Sequence, residues 1–374
     1  MAFTFLHTAD WQIGKRFGSF PGDKPAVLRD QRLQAVDRLA AAALAAGCSA
    51  VLVAGDVFDA ETVPEALSGQ LLARLKAYPT LTWHLLPGNH DPGRAGGVWS
   101  ALVGALPPNV LVHLEAVPVP LAAGVVLLPA PLMSKRTSID PTAWMDAVAS
   151  PAGAIRIGLA HGSVQGFGSA GDANVSIDPA RVKSAGLGYL ALGDWHGTTR
   201  ISDRAWYSGT PEPDGFRDND PGNALVVRID GGAAPKVERV ATAHFTWMRR
   251  EQKIDSAAAL DQFETEIARL GSAAARRLLN VELTGTVPLA ELARIEERLA
   301  KLSPQLFHLT SDTSGITAYA AAADLEALSS PALSEIAQRL KATAEQGGAE
   351  AAVANRALRR LFALARQAET GVRA

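Results

Sequence analysis

The feature that most constrains this chain is an ordered series of five junctions, each a short apolar run broken by residues that bind cations. Phe3–His7 runs into His7-Thr8-Ala9-Asp10-Trp11-Gln12. Ala50–Ala54 runs into Gly55-Asp56-Val57-Phe58-Asp59, and Leu81–Leu86 into Gly88-Asn89-His90-Asp91. Ile155–Ala160 meets His161-Gly162, and Tyr189–Leu192 meets Gly193-Asp194-Trp195-His196-Gly197. Short apolar runs bounded by glycine and polar turn residues read as buried strands. In α/β sheets the carboxyl ends of strands converge on one crevice. Five separate segments can therefore deliver ligands to one point.

The rest of the chain fits that frame. Arg29–Ala46 and Glu65–Tyr78 have helical spacing, with Leu33, Val36, Leu39 and Ala43 on one face of the first. Val110–Leu114, Val125–Leu128 and Ala224–Ile229 read as further strands. Strands interleaved with helices predict an α/β fold, a layered β-sandwich flanked by helices, over residues 1–240. Thr246–Ile254, Ala257–Leu270, Arg277–Leu283, Pro288–Leu302 and Gln305–Thr310 then alternate as β-α-β-α-β. That pattern predicts a small α/β cap domain over 241–320. Residues 321–374 read as a helical C-terminal tail, broken at Gly347–Gly348. Leu325, Leu328, Leu333, Ile336 and Leu340 would form an apolar face there, which packs on its own protein or on a partner.

Composition narrows the function classes. Lys and Arg total 36 against 38 for Asp and Glu, so a wholly basic coat for nucleic acid is absent. A polyanion would have to be gripped by a local patch or by bound metal. The single cysteine, Cys48, excludes an internal disulfide framework and suits a reducing cytoplasm. MAFTFLHTADWQIG does not read as a signal peptide, and no apolar run approaches a membrane span.

Singly, each junction has an ordinary reading: a turn after a strand, an Asx cap, a buried histidine. The ordered set, each member at a strand end, points to metal chemistry. Two cations close together need a shared carboxylate, with oxygen and imidazole ligands around them. Such a pair clamps a phosphate, activates a water and stabilises a leaving oxygen. Asp10, Asp56, Asn89, His161 and His196 are the candidate ligands.

The order D-x-x, GDxxD, GNHD, H-G and GDWHG resembles the calcineurin-like metallophosphoesterase superfamily. The phrases HTADWQIGKRF, LVAGDVFD, LPGNHDPG and ALGDWHG resemble its SbcD-type DNA repair nucleases. The resemblance spans roughly residues 1–215 and implies two Mn2+ or Mg2+ ions and hydrolysis of DNA. A single strand threads a metal crevice more easily than a duplex, so single strands are the expected preference. It assigns Asp10, Gln12, Asp56 and His196 to one metal site, and Asp56, Asn89, His161 and Asp194 to the other. Gln12 and Asp194 stand where the family has histidine; both can coordinate through oxygen, which hardens the site towards manganese or magnesium. His90 matches the family's phosphate-contacting histidine, with Asp59 either orienting it or capping a helix start. Lys15, Arg16, Ser208 and Arg217, together with Lys135 and Arg136, are candidate substrate contacts or ordinary surface. Trp11 and Trp195 either pack under the metal loops or stack on bases. An SMC-like ATPase partner for the tail is also implied. The alternatives are a phosphodiesterase for small or nucleotide substrates and a non-catalytic nucleic-acid-binding subunit.

Overall fold

A computed structural model describes residues 2–167, 175–319, 328, 330–346 and 348–370. The chain divides into two compact units, Met1–His244 and Phe245–Ala374.

In the first unit, β1 (Phe3–Thr8), β2 (Ala50–Val53), β3 (Thr82–Leu85) and β4 (Val110–Val112) run parallel side by side. β13 (Asn223–Ile229) and β14 (Lys236–Ala241) extend that sheet antiparallel from β1, completing six strands. The second six-stranded sheet has β6 (Val125–Ala130), β7 (Ile155–His161), β10 (Tyr189–Gly193) and β12 (Ala205–Tyr207) parallel, with β5 (Val119–Ala122) and β11 (Thr199–Ser202) at its edges.

Alternation along the strands sorts side chains into two faces. Phe5, Leu52, Leu225 and Val227 of the first sheet share one buried cluster with Leu127, Leu159, Tyr189 and Ala191 of the second, which makes the sandwich core. Leu6, Val51, Val53, Trp83 and Leu85 point the other way, onto α1 (Lys24–Ala45) and α2 (Glu65–Lys76). The outer face of the second sheet packs Leu128, Ala160, Leu190 and Leu192 with Met145 and Ala185. This is the layered sandwich flanked by helices that the sequence predicts. α1 begins five residues earlier than its spacing suggests, because Pro25 sits in its first turn, where a missing N–H costs nothing.

The second unit has the expected β-α-β-α-β order. β15 (Thr246–Lys253), β16 (Arg277–Pro288) and β17 (His308–Tyr319) form a parallel sheet, connected by α5 (Ala257–Arg269) and α6 (Leu289–Leu302). Two further helices, α7 (Pro331–Glu345) and α8 (Ala349–Thr370), belong to the same unit. Ala337, Leu358 and Phe362 are buried in its core, and Leu328 and Leu340 pack against it. Of the apolar face expected on the tail, Ile336 is exposed, Leu333 is half-buried, and Leu325 lies outside the described residues.

Candidate active site

The carboxyl ends of β1, β2, β3, β7 and β10 carry the candidate ligands. Backbone bonds staple the first two loops together: Asp10 N–H donates to Gly55 O (3.1 Å) and Gln12 N–H to Asp56 O (2.9 Å). Asp10, Gln12, Asp56 and Asp194 all adopt positive φ, at 54°, 43°, 52° and 100°. L-residues rarely hold that conformation unless the surroundings impose it, and such outliers concentrate at functional sites. Close approach explains two of the flanking glycines. A Cβ on Gly88 would lie 2.1 Å from Asp56 Oδ1, and one on Gly193 would lie 1.9 Å from Ala54 O.

Asp10, Asp56 and His161 form one cluster. A ligand atom from each lies within 4.8 Å of the others, and all three residues are buried. His161 Nδ1 lies 2.8 Å from Ala54 O, so Nδ1 carries the proton and Nε2 turns inward. Nε2 lies 3.0 Å from Asn89 Oδ1, 3.5 Å from Asp56 Oδ1 and 3.8 Å from Asp194 Oδ1. Asp194 is held by Ser163 Oγ (2.8 Å) and gives its own N–H to Asp10 Oδ1 (3.1 Å).

The electrostatics show a centre short of positive charge. Burial pushes the Asp10 carboxyl up to about 6, against the pull of His196 and His161. Burial opposes charge on His161, but Asp56, Asp10 and Asp194 outweigh it and lift the imidazole to about 9. Both groups would rather hold a proton than leave the carboxylates uncompensated. A divalent cation supplies that charge, and oxygen donors with one imidazole suit it.

Beside this cluster lies a second polar group. Lys15 Nζ is 3.0 Å from Gln12 Oε1 and 2.6 Å from Asp214 Oδ2. Gln12 Nε2 is 3.2 Å from His196 Nε2, and His196 Nδ1 is 3.1 Å from Asp214 Oδ1. Lys15, expected at the rim as a substrate contact, is instead committed to Gln12 and Asp214. Gln12, expected to coordinate through oxygen, turns that oxygen to Lys15.

His90 is exposed at the edge of the cluster, with Nε2 3.9 Å from Asp56 Oδ2. Its Nδ1 meets the Asp59 backbone carbonyl at 3.2 Å, so Asp59 reaches it through the main chain and not as a carboxylate–imidazole pair. Ser208 is fully buried with its hydroxyl on the Gly209 carbonyl, and the Thr210 N–H beside it donates to His196 O (3.0 Å). Arg16 and Arg217 are exposed. Trp11 is buried and donates to Thr8 Oγ1 (3.0 Å), supporting the first loop; Trp195 is 36% exposed and meets Phe167 edge-on.

Four supporting residues escaped the sequence reading. Asp91 accepts from Phe58 N–H (2.9 Å) and Gly88 N–H (2.7 Å), tying two ligand loops together. Burial, with Asp56 nearby, holds its carboxyl well above the usual range. Tyr207 accepts from Val164 N–H and donates to Gly162 O, bracing the His161 turn. Asp214 backs His196. Arg32 of α1 is 2% exposed and donates to the carbonyls of Asp10, Trp11 and Glu212 and to Thr210 Oγ1. Asp91 alone stood inside a noticed motif; the other three act across long stretches of chain.

Among solved structures, the crystal structure of TT1561 of Thermus thermophilus aligns at 13% identity with a TM-score of 0.43, over 65% of this chain and 100% of that one. A second aligns at 10% identity and a TM-score of 0.39, over 64% of this chain and 99% of the other. No curated protein sequence matches. The calcineurin-like phosphoesterase family matches residues 3–196. That span is more than half of the chain and takes in the loops carrying Asp10, Asp56, Asn89, His161, Asp194 and His196, so the chain belongs to the calcineurin-like phosphoesterase family.

Proposed function

We propose that the chain is a manganese-dependent phosphodiesterase that hydrolyses DNA, single strands at least as readily as duplex. The observation that supports hydrolysis best is the buried Asp10–Asp56–His161 cluster, joined by Asn89 and edged by an exposed histidine. When bound there, a divalent cation supplies Lewis-acid charge to the phosphate and acidifies a water for attack on phosphorus. Asp10, Asp56, Asn89 and His161 would hold it. Arg32, Asp91 and Ser163 fix the loops that present those donors, so little reorganisation is left for the reaction. In its imidazolium form, His90 carries two protons. The Nδ1 proton rests on Asp59 O, and the Nε2 proton faces the cluster, where it can pass to the leaving oxygen.

DNA as substrate is supported by the phrases HTADWQIGKRF, LVAGDVFD, LPGNHDPG and ALGDWHG, with exposed Arg16 and Arg217 as local charge and Trp195 as a ring for stacking. The test is cleavage of end-labelled single- and double-stranded DNA beside hydrolysis of bis-p-nitrophenyl phosphate. Expected are cleavage of both DNAs, rates that fall as salt rises, and more activity with manganese than with zinc alone. Turnover of the small diester without DNA cleavage would move the assignment to small phosphodiesters. Failure to retain any divalent cation would move it to a binding subunit.

A further inference from the structure

We infer that this chain holds one catalytic cation, not two, and that the ring Lys15–Gln12–His196–Asp214 occupies the place of the other. The inference rests on the metal-dependent reading above and concerns only the number of ions. The pairing of the chain's own donors and acceptors supports it. Lysine has three N–H donors and no acceptor, so the Gln12 atom 3.0 Å from Lys15 Nζ is the amide oxygen. The other amide atom, facing His196 Nε2 at 3.2 Å, is therefore NH2. His196 Nδ1 faces the Asp214 carboxylate and carries a proton there, and in the neutral ring Nε2 is the acceptor that receives the Gln12 amide proton. Asp214 closes the ring by accepting from both His196 and Lys15. Every bond then has one donor and one acceptor. Reversing the amide would set its NH2 against the Lys15 ammonium.

This arrangement removes two of the four ligands that one ion would need. The Gln12 oxygen is turned away from the carboxylates, and the His196 Nε2 lone pair is already used. Gln12 is 2% exposed and the Asp214 side chain 5%, so that side of the ring is packed in place, while the Lys15 side chain is 28% exposed. The Lys15 ammonium is paired with the Asp214 carboxylate at 2.6 Å, so the carboxylate that backs His196 is already engaged. Of the remaining donors, Asp10, Asp56 and His161 cluster within 4.8 Å of one another, and Asn89 and Asp194 approach His161 Nε2 at 3.0 and 3.8 Å.

Counting manganese tests this directly. The full chain is stripped with a chelator, dialysed against excess manganese and freed of loose ion, and metal per chain is measured for the wild type and Gln12→His. About one ion is expected in the wild type and about two in Gln12→His, whose imidazole can coordinate and no longer accepts from Lys15. About two ions in the wild type would overturn the inference and leave the phosphodiesterase reading standing. About one in both proteins would overturn the ring as the cause. No bound ion, together with no hydrolysis of bis-p-nitrophenyl phosphate, would overturn the reading beneath it. Electron paramagnetic resonance of the manganese-loaded wild type needs no substitution. An isolated-ion spectrum is expected, and an exchange-coupled pair would overturn the inference.

Discussion

Replacing Arg32 should reveal how the ligand loops are held. Its guanidinium makes four hydrogen bonds from the middle of α1: to Trp11 O at 2.8 Å, Glu212 O at 2.8 Å, Asp10 O at 3.1 Å and Thr210 Oγ1 at 3.1 Å. Arg32→Met keeps most of the side-chain volume and removes all four. At about 1 kcal/mol net for each bond, the first unit should lose roughly 4 kcal/mol. For a domain of this size, that corresponds to a fall of about 8–16 °C in Tm. Arg32→Lys keeps the charge on a single nitrogen that reaches fewer of the four acceptors, so about half the loss is expected. Differential scanning calorimetry of the three proteins measures this. A fall of less than about 2 °C for Arg32→Met would show that water satisfies those groups equally well, and the argument would fail.

Two further outcomes follow from other residues. His90→Ala should lose roughly 10²–10⁴-fold in kcat with manganese content unchanged, the usual worth of a positioned proton donor; loss of bound metal would make His90 a ligand instead. His84 and His113 stack at 5.3 Å, and burial pushes their rings down to about 3 and about 4. Both folded values lie below the unfolded value of about 6.5, so their contribution is whole above that pH and is lost as pH falls towards 4. Urea unfolding at pH 7 and pH 5 should show a loss of about 1.4 kcal/mol per pH unit per ring once well below 6.5. A His84→Leu, His113→Leu double variant should flatten that slope, and an unchanged slope would contradict the assignment.

The site was legible where its chemistry is local in sequence. Asp56 and Asp59, Asn89 and His90, and Asp194 and His196 each share a few consecutive residues at a strand end, so spacing and the apolar run before them suffice. Arg32 and Asp214 gave no such signal. Arg32 meets Glu212 O across 180 positions and Asp214 meets His196 across 18, and only the folded sheets bring them together. Lys15 follows the first ligand loop in sequence, but its partner Asp214 lies 199 positions away and only the fold brings the two together. Most interior strands were visible as apolar runs, but the three-residue β12 was not. β5, β11 and β14 were missed as well, because these edge strands alternate half-buried and exposed residues over a short length.

The most direct test of the metal-centre account is the initial rate of bis-p-nitrophenyl phosphate hydrolysis by wild type and Asp56→Ala, each stripped with a chelator and reloaded with manganese. Asp56 places one oxygen 3.5 Å from His161 Nε2 and accepts the His90 N–H at 2.9 Å, so its carboxylate stands at the middle of the donor set. The account predicts that the wild type loses activity on stripping and regains it with manganese. Asp56→Ala, folded by circular dichroism, should stay inactive at every manganese concentration. A folded Asp56→Ala protein that kept most of the wild-type rate would contradict it.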